Sequence, residues 1–191
     1  MKNKKVLVVL GGTSGERQVS LDSGRACVKA LKRLGFSVST FDPKIKPFNL
    51  IDKNKINVIF NALHGKDGED GIAQSYFEYL KIPYTHSGVI ASSIAMDKAI
   101  SKKIFIENKI KTPKFFKYSY DMKNSDLIKI IEKKLKFPVV VKPINEGSSV
   151  NVYICNKSNL KNKLKKLRAY KEILIEEFIP GREIQAAILG K

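Results

Sequence analysis

The hydrophobic pattern opens on an unbroken apolar run. Residues 4–10, KKVLVVL, are too continuous for a half-exposed strand and too short for a buried helix, so they read as a strand covered on both faces. GGTSGERQVS leaves it as a loop. Ser20 is a candidate cap for a helix running to Leu34, and Gly35 ends that helix in the left-handed conformation that other residues resist. FSVSTFDP and INVIFNALHG read as further strands, and GEDGIAQSYFEYLKI as a helix behind a glycine-rich turn. Strand, helix, strand, strand, helix, with apolar runs in place of clean alternation, predicts a mostly parallel α/β sheet with both faces covered. This first unit ends near residue 95.

Beyond it the pattern changes. MDKAISKKIFIENK predicts a helix that Asp97 caps, and TPKFFKY an extended segment. SDLIKIIEKKLKF places Leu127, Ile128, Ile131 and Leu135 on one helical face and stops before Pro138. PVVVKP and VNVYIC read as two strands joined by the loop INEGSS. A lysine-rich helix follows, with Leu160, Leu164 and Leu167 at helical spacing. EILIEEFIPGREIQAAILGK predicts two strands broken by Pro180-Gly181, the last leaving an unpaired edge through which the isolated chain would self-associate. There is no internal repeat and no low-complexity linker.

Composition narrows the class. A chain of 191 residues, 43% apolar, holds one ordinary domain or two small ones. No run approaches the roughly 18 apolar residues of a membrane span. MKNKKVLVVLGG has the basic flank of a signal peptide, but it leads into a glycine turn without a small-residue cleavage site, which favours a first strand. Cys27 and Cys155 stand alone, as two reduced cysteines of a cytosolic protein do; zinc and a disulfide framework are not expected. The net charge of +18 raises nucleic-acid binding. The surplus is mostly lysine, however, spread over the chain and seldom interleaved with aromatics, and its densest stretch lies on the solvated face of an amphipathic helix. The charge instead suits a polyanionic small ligand.

Candidate chemistry lies at the element ends. GGTSGER fails both standard phosphate-loop patterns: Arg17 and Gln18 replace the Lys and Ser/Thr of one, and Thr13 stands where the other needs glycine. Glycines leaving a strand are commonly turn formers. What distinguishes this loop is Glu16, a carboxylate at the carboxyl end of a parallel strand, where open α/β sheets bind ligands and where it could hold a cationic group. HGKDGEDG puts His64 at the end of another strand, able to donate a hydrogen bond to a carboxylate near neutral pH. Asp67, Glu69 and Asp70 hint at calcium, but the EF-hand pattern is missing and the alternating glycines mark a turn. Lys98 and Lys142 stand beside element ends. Lys142 closes the run Val139, Val140, Val141 and precedes Pro143, which predicts a buried stem and an aimed ammonium. In the loop behind it, Gly147 allows close backbone approach, and Ser148 and Ser149 add hydroxyls and amide donors for phosphate oxygens. Such a loop could close over a nucleotide and exclude water.

Together VLGGTSGERQVSL, ALHGKDGEDG, PYTHSGVIASSIAMDKAISK, VVVKPINEGSSV and ILIEEFIPGREIQAAILG closely resemble the D-alanine–D-alanine ligases of the ATP-grasp superfamily, in the family's order across nearly the whole chain. The resemblance implies a Rossmann-like, mostly parallel α/β domain over residues 1–96. Over 97–191 it implies the first part of an α+β ATP-grasp domain, its central lobe and the first strands of the next. It implies an ATP-dependent ligation for peptidoglycan precursors in the cytoplasm: ATP phosphorylates the carboxylate of one D-alanine, and the amine of a second attacks the acyl phosphate.

Carried over by motif, Glu16 holds the ammonium of the first D-alanine, Val19 and His64 line its pocket, and Ser148 orients Glu16. Lys98 and Lys142 contact ATP phosphates. Glu146, Gly147, Ser148 and Ser149 form the closing loop. Glu176, Glu177, Phe178 and Ile179 border the adenine, largely through the backbone, and Glu183 matches the ribose-binding acid. The implied cofactors are ATP and Mg2+, with Mn2+ as an alternative. The implied partners are two D-alanines and a second copy of the chain, with no nucleic acid and no membrane.

Two departures qualify this. Asn151 stands where the family usually has glycine, which matters if the turn is left-handed, a conformation asparagine tolerates better than most residues. The chain also stops just inside the third lobe. The family's magnesium ligands, its reaction-stabilising arginine and its second-substrate residues lie further on, so the chain alone is expected to be inactive and to bind ATP poorly. Rival readings are a D-Ala-D-lactate or D-Ala-D-Ser ligase, a non-catalytic remnant that binds D-alanine or a partner, and a basic nucleic-acid-binding module.

Overall fold

The structure, a computed structural model, describes residues 4–188. The chain forms two compact units: Met1–Ile104 with Asn145–Val150, and Phe105–Ile144 with Asn151–Lys191. Among the described residues no helix is long and apolar enough to cross a membrane.

In the first unit β1 (Lys5–Val9) lies between β2 (Ser37–Phe41) and β3 (Val58–Asn61), parallel to both. The apolar run is continuous because each face of β1 has its own layer. Val6 and Val8 pack beneath α1 (Arg17–Arg33), against Leu21, Val28 and Leu31. Leu7 and Val9 face the other way, toward Ala73 and Phe77 of α2 (Ile72–Tyr79), with Phe48, Ile51 and Ile82 completing that layer. Each such fully buried side chain stabilises the fold by about 1.5–3 kcal/mol relative to exposure. The segment after α2 returns beside β3, with Tyr84 bridging Ile59 in parallel.

Gly35 ends α1 at φ 85, as the sequence predicts. Ser20 does not cap that helix. The helix begins at Arg17 with Glu16 at its cap position, and Ser20 is buried inside it. Asp97 does cap α4 (Lys98–Glu107), its Oδ1 accepting from the backbone N–H of Ala99 and Ile100, each at 2.9 Å. Helix α3 (Val89–Met96), directly before it, is an element the polarity pattern does not reveal. Its sequence VIASSIAM has little contrast between faces, and Ile90 is exposed.

The second unit is an antiparallel sheet in the order β4 (Phe115–Ser119), β7 (Glu172–Glu177), β5 (Val139–Pro143), β6 (Tyr153–Cys155). Helices α5 (Asn124–Lys134) and α6 (Leu160–Lys166) cover one face. Leu127, Ile131, Leu135, Leu160, Leu164 and Leu167 meet Val139, Val141, Cys155, Ile173 and Ile175 in one buried cluster, while Ile128 packs at its border. Period-two alternation turns Val140, Lys142, Leu174 and Glu176 to the opposite face.

The predicted strand after Pro180-Gly181 does not form over the described residues 182–188, which are exposed; Leu189–Lys191 lie outside the described residues. β7 already has β4 on one side and β5 on the other, so the sheet edges belong to β4 and β6 and not to a terminal strand. Both cysteines are free, and burial pushes the Cys155 thiol up, partly offset by Lys163.

Candidate functional site

The loop after β1 is fixed by partners far away in the sequence. Gly11 and Gly12 adopt φ 84 and 74, and a Cβ on Gly11 would fall 2.6 Å from the Asp42 carboxylate. Asp42 Oδ1 accepts from the backbone N–H of Gly12 and of Lys44, both at 3.0 Å. The Arg17 guanidinium grips Asp42 with two nitrogens, at 3.0 and 2.7 Å, and donates to the Gly12 carbonyl at 2.7 Å. Burial alone would push the Asp42 carboxyl up. The donors from Arg17, Gly12 and Lys44 outweigh it and hold the group below the usual carboxylate range. Donating to Asp42 raises the pKa of the Arg17 guanidinium in turn. Arg17, which rules out a phosphate loop in the sequence, is therefore the fastener of this one.

Ser20 is a second fastener. Its hydroxyl accepts from the Gly11 N–H at 2.8 Å and donates to the Ala62 carbonyl at 2.6 Å, joining the loops that follow β1 and β3. Sequence spacing carries no signal for either bond.

On this frame Glu16 stands at the start of α1. Its Oε2 accepts from the Ser148 hydroxyl at 2.7 Å. Its Oε1 would lie 2.8 Å from a Cβ on Gly147 and 3.3 Å from one on Gly65, so both turns approach the carboxylate through glycine. It is Glu16 that the glycine at 147 lets near. Ser148 and Ser149 are left-handed, at φ 46 and 57, and Val150 N–H donates to the Gly147 carbonyl at 2.9 Å, closing a turn with positive φ at both central residues. At the start of this loop, the Lys98 ammonium donates to the Glu146 carbonyl.

His64 follows β3. Its carbonyl accepts from the Ser14 hydroxyl at 2.7 Å, its Nε2 lies 3.1 Å from Ser23 Oγ, and its Nδ1 lies 3.4 Å from Glu69 Oε1. Val19 is half-exposed on α1, within one turn of Glu16. Asp67, Glu69 and Asp70 are engaged in the turn itself. They accept from the Thr13 hydroxyl at 3.0 Å and from the backbone N–H of Gly65 and of Asp67, each at 2.9 Å. The first unit thus gathers Glu16, His64, Lys98 and the loop 145–150 at the carboxyl ends of its parallel strands.

In the second unit the Lys142 ammonium pairs with the Glu176 carboxylate on the sheet face away from the helices. Glu177 ends β7, its N–H donating to the Lys114 carbonyl at 2.9 Å. Phe178, Ile179 and Glu183 follow outside any strand, Phe178 half-buried and the other two exposed. Asn151 is left-handed at φ 58. Its Nδ2 donates to the Tyr170 hydroxyl at 2.9 Å, and its Oδ1 accepts from the Tyr153 hydroxyl at 3.1 Å. The turn that glycine usually makes is thus made here by an asparagine with both ends of its amide engaged.

An aimed lysine beside a loop of hydroxyls and backbone donors fits phosphate oxygens, as the residues around 98 and 146–149 provide. For a metal the fit fails. Among the described residues no three of His, Cys, Asp and Glu gather into a group able to hold an ion, so these residues do not by themselves form a magnesium site.

Residues 94–191 match the model of the D-Ala D-Ala ligase C-terminus, and residues 40–87 that of its N-terminus. The chain belongs to the D-alanine–D-alanine ligase family. A D-alanine–D-alanine ligase of Pelagibacter ubique is 60% identical over 187 residues, covering 98% of this chain and 62% of that relative. The crystal structure of a D-alanine–D-alanine ligase from Bacillus anthracis superposes with a TM-score of 0.81 at 36% identity, over 93% of this chain and 58% of that one. A second from the same organism, complexed with ATP, gives 0.74 at 32% identity, over 93% and 60%. The chain therefore spans about 60% of the length of these ligase relatives.

Proposed function

We propose that this chain carries the first D-alanine site and part of the ATP site of an ATP-dependent D-alanine–D-alanine ligase. Residues 1–96 act as substrate domain and 97–191 as the opening part of an ATP-grasp domain. The observation that carries this is the Glu16 carboxylate, held by Ser148 and approached by two glycine turns at the carboxyl ends of the parallel strands.

In this reading Glu16 takes the ammonium of the first D-alanine. Ser148 keeps one carboxylate oxygen occupied so that the other faces the ligand. His64, its two ring nitrogens turned to Ser23 and Glu69, sits beside the same substrate, and Val19 closes the apolar side of the pocket. Lys98 and Lys142 contact the phosphates of ATP, and Glu146, Gly147, Ser148 and Ser149 exclude water from them. Glu176, Glu177, Phe178 and Ile179 border the adenine, and Glu183 meets the ribose. Magnesium, with manganese as its substitute, would neutralise charge at the phosphates only if held by residues other than the described ones. A cytoplasmic homodimer is the proposed setting.

The name carried by the P. ubique relative favours D-alanine as the second substrate over D-lactate or D-serine. A chimera tests the reading: this chain replaces the matching 187 residues of the P. ubique ligase, and phosphate release from ATP is followed with D-alanine and magnesium. Turnover within about tenfold of the parent is expected, and Glu16→Gln should lower it by about a hundredfold, the scale of losing a bond between charged groups. The 191-residue chain alone should release none. A folded chimera that stays inactive, or one indifferent to Glu16→Gln, overturns the proposal.

A further inference from the structure

A cavity of about 420 Å³ opens in the second unit, between the turn that joins β4 to α5 and one side of α6. No residue assigned above to D-alanine or ATP lines it. Its lining is cationic: Lys123 from the turn, Lys161 and Lys165 from α6, and Arg168 just past the end of that helix. Against these stands one carboxylate, Asp121, which the Ser119 hydroxyl already engages. Among the described residues none of the four cations forms an ion pair, whereas Lys117 and Lys157 of the same unit each do. Like charges four apart on a helix destabilise it, so Lys161 and Lys165 set up a repulsion that a bound anion would relieve.

A hydroxyl stands ready among them. Tyr118 of β4 is 3% exposed and lines the cavity, its ring meeting that of Tyr120 edge-on at 5.3 Å. Tyr120 donates its own hydroxyl to the Leu164 carbonyl at 2.8 Å. The Tyr118 hydroxyl bonds to no group among the described residues, yet it is not sealed from solvent, and the cavity is the opening that Tyr118 lines. Burial pushes this phenol up, Asp121 adding to the rise and Arg168 opposing it, so it stays protonated at neutral pH and offers an O–H.

We propose that this cavity binds a small molecule carrying two or more phosphate groups, which Lys123, Lys161, Lys165 and Arg168 neutralise and to which the Tyr118 hydroxyl donates. The volume falls within the roughly 300–1,000 Å³ of small-molecule sites, and a recess of this kind suits such a ligand better than a membrane surface or a polynucleotide. Four cations against one carboxylate leave about three positive charges to match, and a single phosphate group brings only about 1.5–2. The site stands whether or not the chain ligates D-alanine.

Inorganic diphosphate is the probe, titrated into the 191-residue chain with 13C-labelled tyrosine rings and followed by NMR at Tyr118 and Tyr120. The readout is local, so diphosphate held near Lys98 or Lys142 does not register. Both rings should shift saturably at or below about a millimolar. Sulfate at equal ionic strength should bind about tenfold more weakly, and Lys165→Gln with Arg168→Gln should weaken diphosphate by about tenfold or more. Tyr118→Phe, read at Tyr120, should weaken it by about fivefold, the scale of one hydrogen bond to a charged group. Lys29→Gln with Lys32→Gln removes the same charge from exposed positions on α1 and should change binding by less than about twofold. No saturable shift, sulfate binding as tightly as diphosphate, a remote double change as damaging as the local one, or Tyr118→Phe without effect overturns the proposal. The substituted lysines and Arg168 are exposed and the Tyr118 hydroxyl has no partner to lose, so the variants keep the fold.

Discussion

The two units place their functional groups by different physical means. In the second, Lys142 and Glu176 sit on neighbouring strands at alternate positions, so the pleat that buries Val139, Val141, Ile173 and Ile175 also sends these two charges to the other face. In the first, Glu16 and His64 ride on loops, and their positions come from bonds between residues distant in sequence: Arg17 to Asp42, Ser20 to Gly11 and Ala62, Ser148 to Glu16. A strand aims a side chain by its own geometry. A loop aims one through its partners, and each partner is a point of failure.

This contrast can be broken at graded cost. The largest effect belongs to Lys142→Met, which takes the cation from a Glu176 carboxylate that is 7% exposed. Breaking such a pair costs about 3 kcal/mol, whereas the double change Lys142→Met, Glu176→Leu should come back to within about 1 kcal/mol of the original, because a packed apolar pair replaces a desolvated one. Urea denaturation of the single and double variants measures both.

Asp42→Asn comes next, at about 2 kcal/mol, the scale of bonds to a charged group. Its signature is pH. The folded carboxyl is held below its unfolded value, so its contribution is present above the unfolded value and is lost as pH falls through the folded one. Acid titration of stability should therefore be shallower in Asp42→Asn below about pH 4. An unchanged acid limb would remove Asp42 as the anchor of the loop.

The smallest is Ser148→Ala, about 1 kcal/mol or less on an exposed hydroxyl. It should loosen the 145–150 loop, read as faster amide exchange at Val150, without shifting the urea midpoint appreciably.

The same contrast decides what the sequence discloses. The buried run of β1, the face of Leu127, Ile131 and Leu135, and the aimed Lys142 all follow from periodicity, because burial and strand geometry act on near neighbours. The left-handed conformation of Asn151 is one that asparagine tolerates better than most residues, though no spacing in the sequence requires it. What periodicity misplaces depends on distant partners. Ser20 resembles a helix cap because caps and buried bridging hydroxyls use the same residue type, and Ala62, which decides between them, is far along the chain. Gly147, offered by the sequence as a close approach for a ligand, also lies beside Glu16 Oε1, a partner that no local spacing discloses. The strand expected after Pro180-Gly181 does not form over residues 182–188, and β4 and β6 remain the edges of the sheet.

The buried hydroxyl of Ser20 has a consequence for recognition. By stitching the ends of two strands together as the chain folds, it settles the spacing between the turn of Glu16 and the turn of His64 before any molecule arrives. The protein then forfeits little conformational freedom when a ligand reaches across both turns, and affinity reflects contacts more than loop ordering.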